Sequence, residues 1–213
     1  FSSRRRHTRS GRVTGVQTCA LPISVVADLS LREQLADVAR QCRQPFGTVE
    51  ILVNAAGVNL RQPPTEISLE SWDATLNLNL AVPFFFAREF VPGMREKGYG
   101  RIINIASLQS SRAFANGLAY GASKAGVCQL TRAMAEAWSR DGIMCNAIAP
   151  GYTDTDMVSA VPPAVLEKIV AKIPVGRLGK ADEIARGVLF LIADDAGFIT
   201  GSTLSINGGQ HMY

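Results

Sequence analysis

Along most of the chain, short apolar runs rich in β-branched residues alternate with stretches of helical periodicity, and this alternation most constrains the fold. Strands joined by helices pair in parallel, because each crossover helix packs against a face of the sheet. We therefore predict an α/β fold with a doubly wound parallel sheet. The predicted strands cover residues 24–28, 49–53, 101–106, 143–148 and 203–206.

The predicted helices begin at positions that suit a helix N-terminus. Ser30 and Ser68 are predicted N-caps, because a serine oxygen accepts a hydrogen bond from a free backbone N–H. Pro83 is predicted to interrupt the long second helix. A third long helix is predicted to begin at Asn116 or Gly117. The predicted helices cover residues 30–43, 68–97, 117–141, 155–159, 163–172 and 181–193.

Residues 1–23 differ from the rest of the chain in composition. They contain five arginines, no acidic residue and no apolar periodicity. Such a basic run suits a nucleic-acid-binding arm or a nuclear signal, and an arginine-rich start without acids suits an organellar transit peptide. A further interpretation fits the residues better, because positions 13–23 resemble a translated sequencing adapter. We therefore expect residues 1–23 to be a non-native, disordered segment that replaces the natural start, and residues 24–213 to form the domain.

The charge and the cysteines exclude several classes of function once residues 1–23 are set aside. The chain has 22 basic and 18 acidic residues and a net charge of +4. Subtracting the five N-terminal arginines leaves 17 basic against 18 acidic residues, which predicts no nucleic-acid or membrane partner. Cys42, Cys128 and Cys145 lack metal-ligand spacing and form an odd set, so we expect a reducing, cytoplasmic setting and no metal site.

Tyr120 and Lys124 stand four residues apart in a predicted helix, and Ser107 follows a predicted strand upstream. Positions i and i+4 share one helix face, so the Lys124 ammonium can lie beside the Tyr120 phenol. A nearby cation favours the phenolate and lowers the pKa of the phenol. With a serine hydroxyl to hold a carbonyl oxygen, such a set suits proton transfer in carbonyl and alcohol redox chemistry. The alternative interpretation is an ordinary surface tyrosine and lysine.

An ordered series of motifs surrounds these residues from about Ser24 to the C-terminus. The series consists of Asn-Ala-Ala-Gly at 54–57, Asn-Leu at 79–80, Gly-Arg-Ile-Ile-Asn-Ile-Ala-Ser at 100–107, Tyr120 with Lys124, Asn-Ala-Ile-Ala-Pro-Gly at 146–151, Phe-Ile-Thr-Gly at 198–201 and Asn-Gly-Gly at 207–209. In this order and spacing, the chain resembles the short-chain dehydrogenase/reductase family. The resemblance implies a Rossmann-like fold, NAD or NADP as cofactor, a small-molecule carbonyl or alcohol substrate, and a homotetramer.

The resemblance also implies a role for each site residue. Tyr120 resembles the acid/base, Lys124 the residue that depresses its pKa and binds the nicotinamide ribose, and Ser107 the hydroxyl that orients the substrate oxygen. Asn79, with Asn77 two positions away, resembles the asparagine that holds a water of a proton relay. The implied cofactor-binding residues are Asp28, Leu29, Asn54, Ala55, Ala56, Gly57, Tyr120, Lys124, Pro150, Gly151, Thr153 and Thr155.

One departure from the family pattern concerns the start of the domain. A family member begins with a strand, a glycine-rich turn and a helix that together bind pyrophosphate. No such turn follows a strand here, so we expect an N-terminally truncated domain without the first βαβ segment. Weak cofactor binding and an unpaired sheet edge at residues 24–28 are the expected consequences. The residue that selects NAD or NADP belongs to that segment, so the sequence leaves both cofactors open.

The chain resembles two branches of the family that act on different substrates. Residues 150–213 are most similar to acetoacetyl-CoA reductases, whereas residues 105–138 are more similar to sugar-acid dehydrogenases such as gluconate 5-dehydrogenase. The expected substrate lid, at about 152–180, lies in the first of these stretches. We therefore predict reduction of a 3-oxoacyl thioester, with a sugar acid or polyol as the alternative. A non-catalytic binding or regulatory protein is a third hypothesis, which the intact Ser107, Tyr120 and Lys124 disfavour.

Overall fold

The computed structural model describes residues 12–14, 24–159 and 161–212. The strands of this part of the chain are β1 (Arg12–Thr14), β2 (Ser24–Val26), β3 (Ile51–Asn54), β4 (Gly100–Ile105), β5 (Ile143–Pro150) and β6 (Thr203–Ile206). The helices are α1 (Leu35–Arg43), α2 (Leu69–Leu76), α3 (Val82–Arg88), α4 (Val91–Lys97), α5 (Leu118–Trp138), α6 (Asp156–Ser159), α7 (Pro163–Val170) and α8 (Ala181–Ile192). Among these helices, none combines the length and the apolar character needed to cross a bilayer.

Four of the strands form one parallel sheet in the order β3-β4-β5-β6. β4 and β5 lie in its middle, and nearly all of their residues are buried. Strands with continuous apolar burial are typical of parallel sheets that helices cover on both faces. Within the sheet, Ile102 is in register with Cys145, and Ile105 is in register with Ile148. The last residues of β4 therefore lie beside the later residues of β5.

Adjacent residues of β4 point to opposite faces of the sheet, and each face has its own apolar core. On one face, Ile102 belongs to a core with Met134 of α5 and with residues of α1, α3 and α4. On the other face, Ile103 packs with Ile148 of β5 and Leu191 of α8. Helices therefore cover both faces of the sheet. The predicted α/β fold with a doubly wound parallel sheet is confirmed.

The first predicted strand is not part of this sheet. β2 pairs antiparallel with β1 in a separate two-stranded sheet, with Val25 opposite Val13. The unpaired edge predicted for residues 24–28 is therefore wrong for β2, because β1 supplies its hydrogen-bonding partners. Residues 1–11 and 15–23 lie outside the described residues, so the disorder expected of them stays a prediction.

The two predicted N-caps have different outcomes. Ser68 Oγ accepts a hydrogen bond from Ser71 N at 3.1 Å at the start of α2, as predicted. Ser30 does not cap a helix, because its backbone N and its hydroxyl both donate to Asp28 Oδ1, at 2.9 and 2.7 Å. An aspartate before a turn commonly bonds the backbone two residues on. The first helical turn therefore begins two residues later, at Arg32.

The long helix predicted over residues 68–97 is divided at places other than the predicted one. Pro83 lies inside the first turn of α3 and does not end the helix. A π-helical segment, Asn77–Ala81, directly precedes α3. Its wider turn accommodates the proline ring, which an α-helical turn would push against the carbonyl four residues earlier. The α-helix is interrupted instead at Glu89 and Phe90, between α3 and α4.

Gly142 follows α5 and its 3₁₀ extension Ser139–Asp141 with a φ of +78°. A Cβ at this position would collide with the backbone carbonyl of Gly98. We expect Gly142→Ala to lower the free energy of unfolding by roughly 3 kcal/mol, since left-handed strain and steric overlap add. Gly47 has a φ of +79° but open space where a Cβ would lie, so Gly47→Ala is the matched control, with an expected loss of about 1 kcal/mol. Urea denaturation measures both variants, and equal losses would contradict the steric part of this explanation.

Candidate active site

The candidate site lies where the central strands end. Asn54 ends β3, Ser107 follows β4 by two residues, and Pro150 ends β5. Because these neighbouring strands are parallel, their carboxyl ends meet at one edge of the sheet. Open α/β sheets bind ligands at this edge. The fold therefore brings together three motifs that are far apart in the sequence.

Ser107 stands at the start of the short 3₁₀ turn Leu108–Ser110. Its Oγ accepts a hydrogen bond from Gln109 N at 3.1 Å, and its backbone N donates to Ser110 Oγ at 3.2 Å. The Ser107 side chain also forms a hydrogen bond with Tyr120, which lowers the pKa of the phenol. The serine hydroxyl is thus held beside the tyrosine, where one substrate oxygen can contact both groups.

Lys124 is buried on the same flank of α5 as Tyr120. Its side chain is 5% exposed, and its Nζ donates a hydrogen bond to Ile105 O at 2.7 Å. Nζ lies 5.8 Å from the centre of the Tyr120 ring. Burial disfavours the charged amine and lowers the Lys124 pKa to about 8, while interaction with Cys128 acts in the opposite direction. The structure therefore brings the two residues together as their spacing predicts.

The pKa of Tyr120 differs from the expectation based on the sequence. Burial is the largest influence, and it raises the pKa above the ordinary value of 10.0. The hydrogen bond with Ser107 and the charge of Arg61 lower it in part. The net lowering of the Tyr120 pKa expected from Lys124 is wrong for this structure, because desolvation outweighs the Ser107 hydrogen bond and the Arg61 charge.

Asn79 lies in the π-helical segment and is fully buried. Its Oδ1 accepts a hydrogen bond from Val58 N, and its Nδ2 donates to Val58 O, both at 2.8 Å. Nδ2 also donates to Ser123 Oγ at 3.1 Å, and Ser123 Oγ donates to Tyr120 O at 2.7 Å. Asn79 therefore ties the loop after β3 to the helix that carries Tyr120. Single-turn π-helical segments occur frequently at functional sites.

Gly57 borders both Asn79 and Lys124. A Cβ added at Gly57 would lie 3.0 Å from Asn79 Oδ1 and 3.5 Å from Lys124 Nζ. A side chain at this position would therefore fill the space beside the lysine amine. Because glycine has no side chain, a group such as a ribose can approach the backbone closely at this point.

The side chain of Asn54 is held by a hydrogen bond to the neighbouring strand β4. Its Nδ2 donates to Asn104 Oδ1 at 2.8 Å, and Asn104 Nδ2 donates to Thr131 Oγ1 at 2.9 Å. These bonds tie β3 to β4 and to α5. Ala55 and Ala56 follow Asn54 at the carboxyl edge, and Ala55 is exposed. At residues 54–56 the backbone, rather than the Asn54 side chain, is the part that a ligand can contact.

Pro150 and Gly151 reach the same edge from β5. A Cβ on Gly151 would lie 2.8 Å from Asn207 Cα, so the glycine permits close contact between the two backbones. Thr153 Oγ1 donates to Gly151 O at 3.1 Å, and Thr155 Oγ1 donates to Thr153 O at 3.3 Å. The two threonine hydroxyls therefore fold this segment against its own backbone next to the end of β5.

The two ends of the segment predicted as a substrate lid, residues 152–180, lie side by side. Thr153 and Gly179 form an isolated parallel bridge. Asp154 N donates to Gly179 O at 2.8 Å, and Gly179 N donates to Tyr152 O at 2.9 Å. α6 and α7 lie between these ends. The segment is thus a loop that is closed at its base beside β5, and its role as a lid stays a prediction.

Asp28 and Leu29 follow β2 and differ in exposure. Asp28 is exposed, and its Oδ1 accepts the two hydrogen bonds from Ser30. Leu29 is 5% exposed, because its side chain packs in the core on the α1 side of the sheet. Asn77 Nδ2 donates to Ser30 O at 2.7 Å, which connects this turn to the π-helical segment. The predicted adenine site and the predicted catalytic asparagine are therefore linked through Asn77.

Sequence reasoning assigned no role to four polar residues of the site. Asn104 lies within the motif at 100–107, Ser110 follows that motif, Ser123 precedes Lys124, and Arg61 follows the motif at 54–57. The sequence signal that could have identified these four residues is a polar side chain within or next to a motif. Within the described residues, no group of three or more histidine, cysteine, aspartate or glutamate side chains is placed to hold a metal ion.

A family model described as enoyl-(acyl carrier protein) reductase matches residues 4–211. The chain belongs to this family. The predicted assignment to the short-chain dehydrogenases/reductases, as an oxidoreductase dependent on NAD or NADP, is confirmed. The matched range includes residues 4–23, whose non-native origin stays a prediction.

Relatives of this reductase family represent both branches named from the sequence. The acetoacetyl-CoA reductase of Rhizobium meliloti (strain 1021) is 44% identical over 186 residues, which cover 87% of this chain and 77% of the relative. The acetoacetyl-CoA reductase of Shinella zoogloeoides is 42% identical over 184 residues, which cover 86% of this chain and 76% of the relative. The gluconate 5-dehydrogenase of Burkholderia cenocepacia J2315, solved in complex with NADP and tartrate, superposes with a TM-score of 0.82 at 33% identity and covers 86% of this chain and 73% of its own.

Proposed function

We propose that this chain is an oxidoreductase that uses NAD or NADP to interconvert a carbonyl and a secondary alcohol, with a short 3-oxoacyl thioester such as acetoacetyl-CoA as its substrate. The observation that carries the proposal is the contact of Ser107 with Tyr120 beside the buried amine of Lys124. The similarity to the acetoacetyl-CoA reductases of R. meliloti and S. zoogloeoides supports the thioester substrate.

In this proposal, Tyr120 donates its phenolic proton to the substrate oxygen during reduction and regains one during oxidation. Ser107 donates a hydrogen bond that orients the same oxygen. Lys124, with a pKa of about 8, holds or releases a proton near neutral pH. Asn79 holds the backbone of Val58 and so keeps the neighbouring glycine close to the lysine.

The nicotinamide cofactor, when bound, supplies the hydride for reduction or accepts it in oxidation. We assign its ribose to Tyr120, Lys124 and the backbone of the motif that ends at Gly57, and its adenine to Asp28 and Leu29. The narrow space beside Gly57 supports the ribose position. The residues assigned to the nicotinamide end are Pro150, Gly151, Thr153 and Thr155.

A substrate panel tests this function. Purified protein is mixed with acetoacetyl-CoA and NADPH or NADH, and separately with gluconate and NADP or NAD, and the absorbance of the reduced cofactor is followed. High cofactor concentrations are used, so that cofactor binding does not limit the rate. We expect acetoacetyl-CoA to be reduced faster than gluconate is oxidised. Oxidation of gluconate without any reduction of acetoacetyl-CoA would overturn the thioester assignment.

A sugar acid is the second candidate substrate, and Arg61 favours it. The charge of Arg61 acts on the Tyr120 phenol, so a cation lies near the proposed reacting position, and the Arg61 side chain is exposed. A sugar-acid carboxylate carries the complementary charge and fits a guanidinium. The structural similarity to the B. cenocepacia gluconate 5-dehydrogenase, solved with NADP and tartrate, also supports this candidate.

If a sugar acid is the substrate, Arg61→Ala should raise the KM for gluconate about tenfold, which corresponds to the loss of about 1.4 kcal/mol of charge pairing. The KM for a neutral substrate, the N-acetylcysteamine thioester of acetoacetate, should stay unchanged, because that molecule has no carboxylate to pair. Arg132→Ala removes another exposed arginine and serves as the control. A KM that changes equally for both substrates contradicts the role of Arg61.

We also propose a homotetramer in a reducing, cytoplasmic setting. Three large apolar side chains, Leu189, Phe190 and Phe198, are 63%, 55% and 103% exposed, and such a surface suits contact with another copy. Cys42, Cys128 and Cys145 are free thiols, in agreement with a reducing compartment. Light scattering of the purified chain measures the number of subunits.

A further inference from the structure

We propose that Ser110 is a positioning residue that holds the turn carrying Ser107 at a fixed separation from the helix that carries Tyr120 and Lys124. The inference rests on the proposed function of that site, because it identifies the group that keeps the serine hydroxyl beside the phenol. Ser110 acts through these residues and is not itself proposed to touch the substrate.

Ser110 Oγ connects two elements that the chain separates. It accepts a hydrogen bond from Ser107 N at 3.2 Å and donates one to Lys124 O at 2.9 Å. Both partners are backbone atoms of residues assigned to catalysis. The two bonds together therefore set where the Ser107 backbone lies relative to α5, whatever the rotamers of the longer side chains.

The turn that carries Ser107 packs against α5, but few hydrogen bonds fix its backbone to that helix. It is a single 3₁₀ turn, Leu108–Ser110, and such short turns depend on their surroundings for stability. Gln109 also packs towards α5, with its Oε1 next to Gly117. That oxygen is buried and has no hydrogen-bond partner among the described residues. Among the described residues, the polar links between the turn and the helix are therefore the Ser107–Tyr120 side-chain bond and the bond from Ser110 to the Lys124 backbone.

Removal of the Ser110 hydroxyl leaves Ser107 N without its acceptor and removes the bond to Lys124 O. The Ser107 backbone is then fixed less firmly relative to α5, and the hydrogen bond between Ser107 and Tyr120 weakens. Because that bond lowers the Tyr120 pKa, its loss raises the pKa further. A displacement of about 1 Å at a catalytic group is enough to reduce the rate roughly a hundredfold.

Four variants test the role of Ser110. Ser110→Ala removes the hydroxyl, Ser110→Thr keeps it, and Ser107→Ala removes the group that Ser110 positions. Ser111→Ala is the matched control, because Ser111 is the adjacent exposed serine. Each variant is assayed for kcat, KM and the pH dependence of kcat. The NMR shift of the Tyr120 ring carbon that bears the hydroxyl is measured with labelled tyrosine, and Tyr120→Phe identifies the signal.

We expect Ser110→Ala to lower kcat at least tenfold with KM changed less than twofold, and to move the pH profile to higher pH. The Tyr120 signal should move towards its position in Ser107→Ala, whereas Ser110→Thr and Ser111→Ala should match the parent protein. An unchanged Tyr120 signal in Ser110→Ala overturns the inference, even if kcat or stability falls. If the parent turns over none of the substrates, the proposed function fails, while the NMR comparison still decides the role of Ser110.

Discussion

Replacing Tyr120 by phenylalanine is expected to lower kcat about a thousandfold with little change in the free energy of unfolding. The phenylalanine ring keeps the shape of the side chain but has no proton to give to the substrate oxygen. The hydroxyl of Ser107 remains in place and still hydrogen-bonds a substrate, so KM should change less than kcat. Steady-state kinetics at saturating cofactor measure both parameters, and urea denaturation measures stability.

Tyr99→Phe is the matched control for this substitution. Burial raises the pKa of Tyr99 as it does that of Tyr120, but the Tyr99 hydroxyl donates to Asp194 Oδ1 at 3.1 Å, far from the carboxyl ends of the strands. We expect Tyr99→Phe to retain the kcat of the parent. Turnover by Tyr120→Phe at the rate of the parent would show that another group transfers the proton.

The second large effect is expected for Lys124→Met, which should reduce kcat about a hundredfold or more and change the pH dependence of stability. Burial lowers the Lys124 pKa from 10.5 to about 8 in the folded protein. Between these two values the unfolded chain binds more protons than the folded protein, so the free energy of unfolding rises with pH. At lower pH both states are protonated, and the folded state bears the full cost of the buried charge, about 3 kcal/mol.

The stability part of this prediction is measured by urea denaturation between about pH 7.5 and 10.5, the window that the two pKa values define. The parent protein should gain about 3 kcal/mol more than Lys124→Met across this window, because methionine has no proton to release. Lys97→Met is the control, since Lys97 is exposed and pairs with Glu50. If the free energy of unfolding changes equally with pH in the parent and in Lys124→Met, the lowered pKa of Lys124 is contradicted.

The central sheet and the proximity of Tyr120 to Lys124 can be predicted from local sequence signals. The apolar runs of β4 and β5 are long enough to identify, and the helical spacing of Tyr120 and Lys124 correctly places both on one flank of α5. Strand β6 has the predicted bounds, because glycines lie close to it on both sides and mark the turns there. These features depend on residues that are neighbours in the sequence.

The features that were not predicted depend on residues that meet only in the folded chain. The first strand pairs with a segment expected to lack structure, and Ser30 is drawn to Asp28 instead of capping a helix. The direction of the Tyr120 pKa depends on how much of the phenol is buried, which the spacing of two residues does not reveal. The role of Ser110 depends on a bond across fourteen positions of the chain.

In the π-helical segment Asn77–Ala81, the number of residues is as important for the fold as their identity. Each residue added to or removed from a helix rotates all later residues of that helix by about 100°. A single deletion between Leu76 and Val82 would therefore swing Asn79 away from Val58 or turn the phenylalanines of α3 out of the core. Homologues that keep this asparagine but differ in length here must compensate within the same few positions, so gaps in this stretch are expected to be rare.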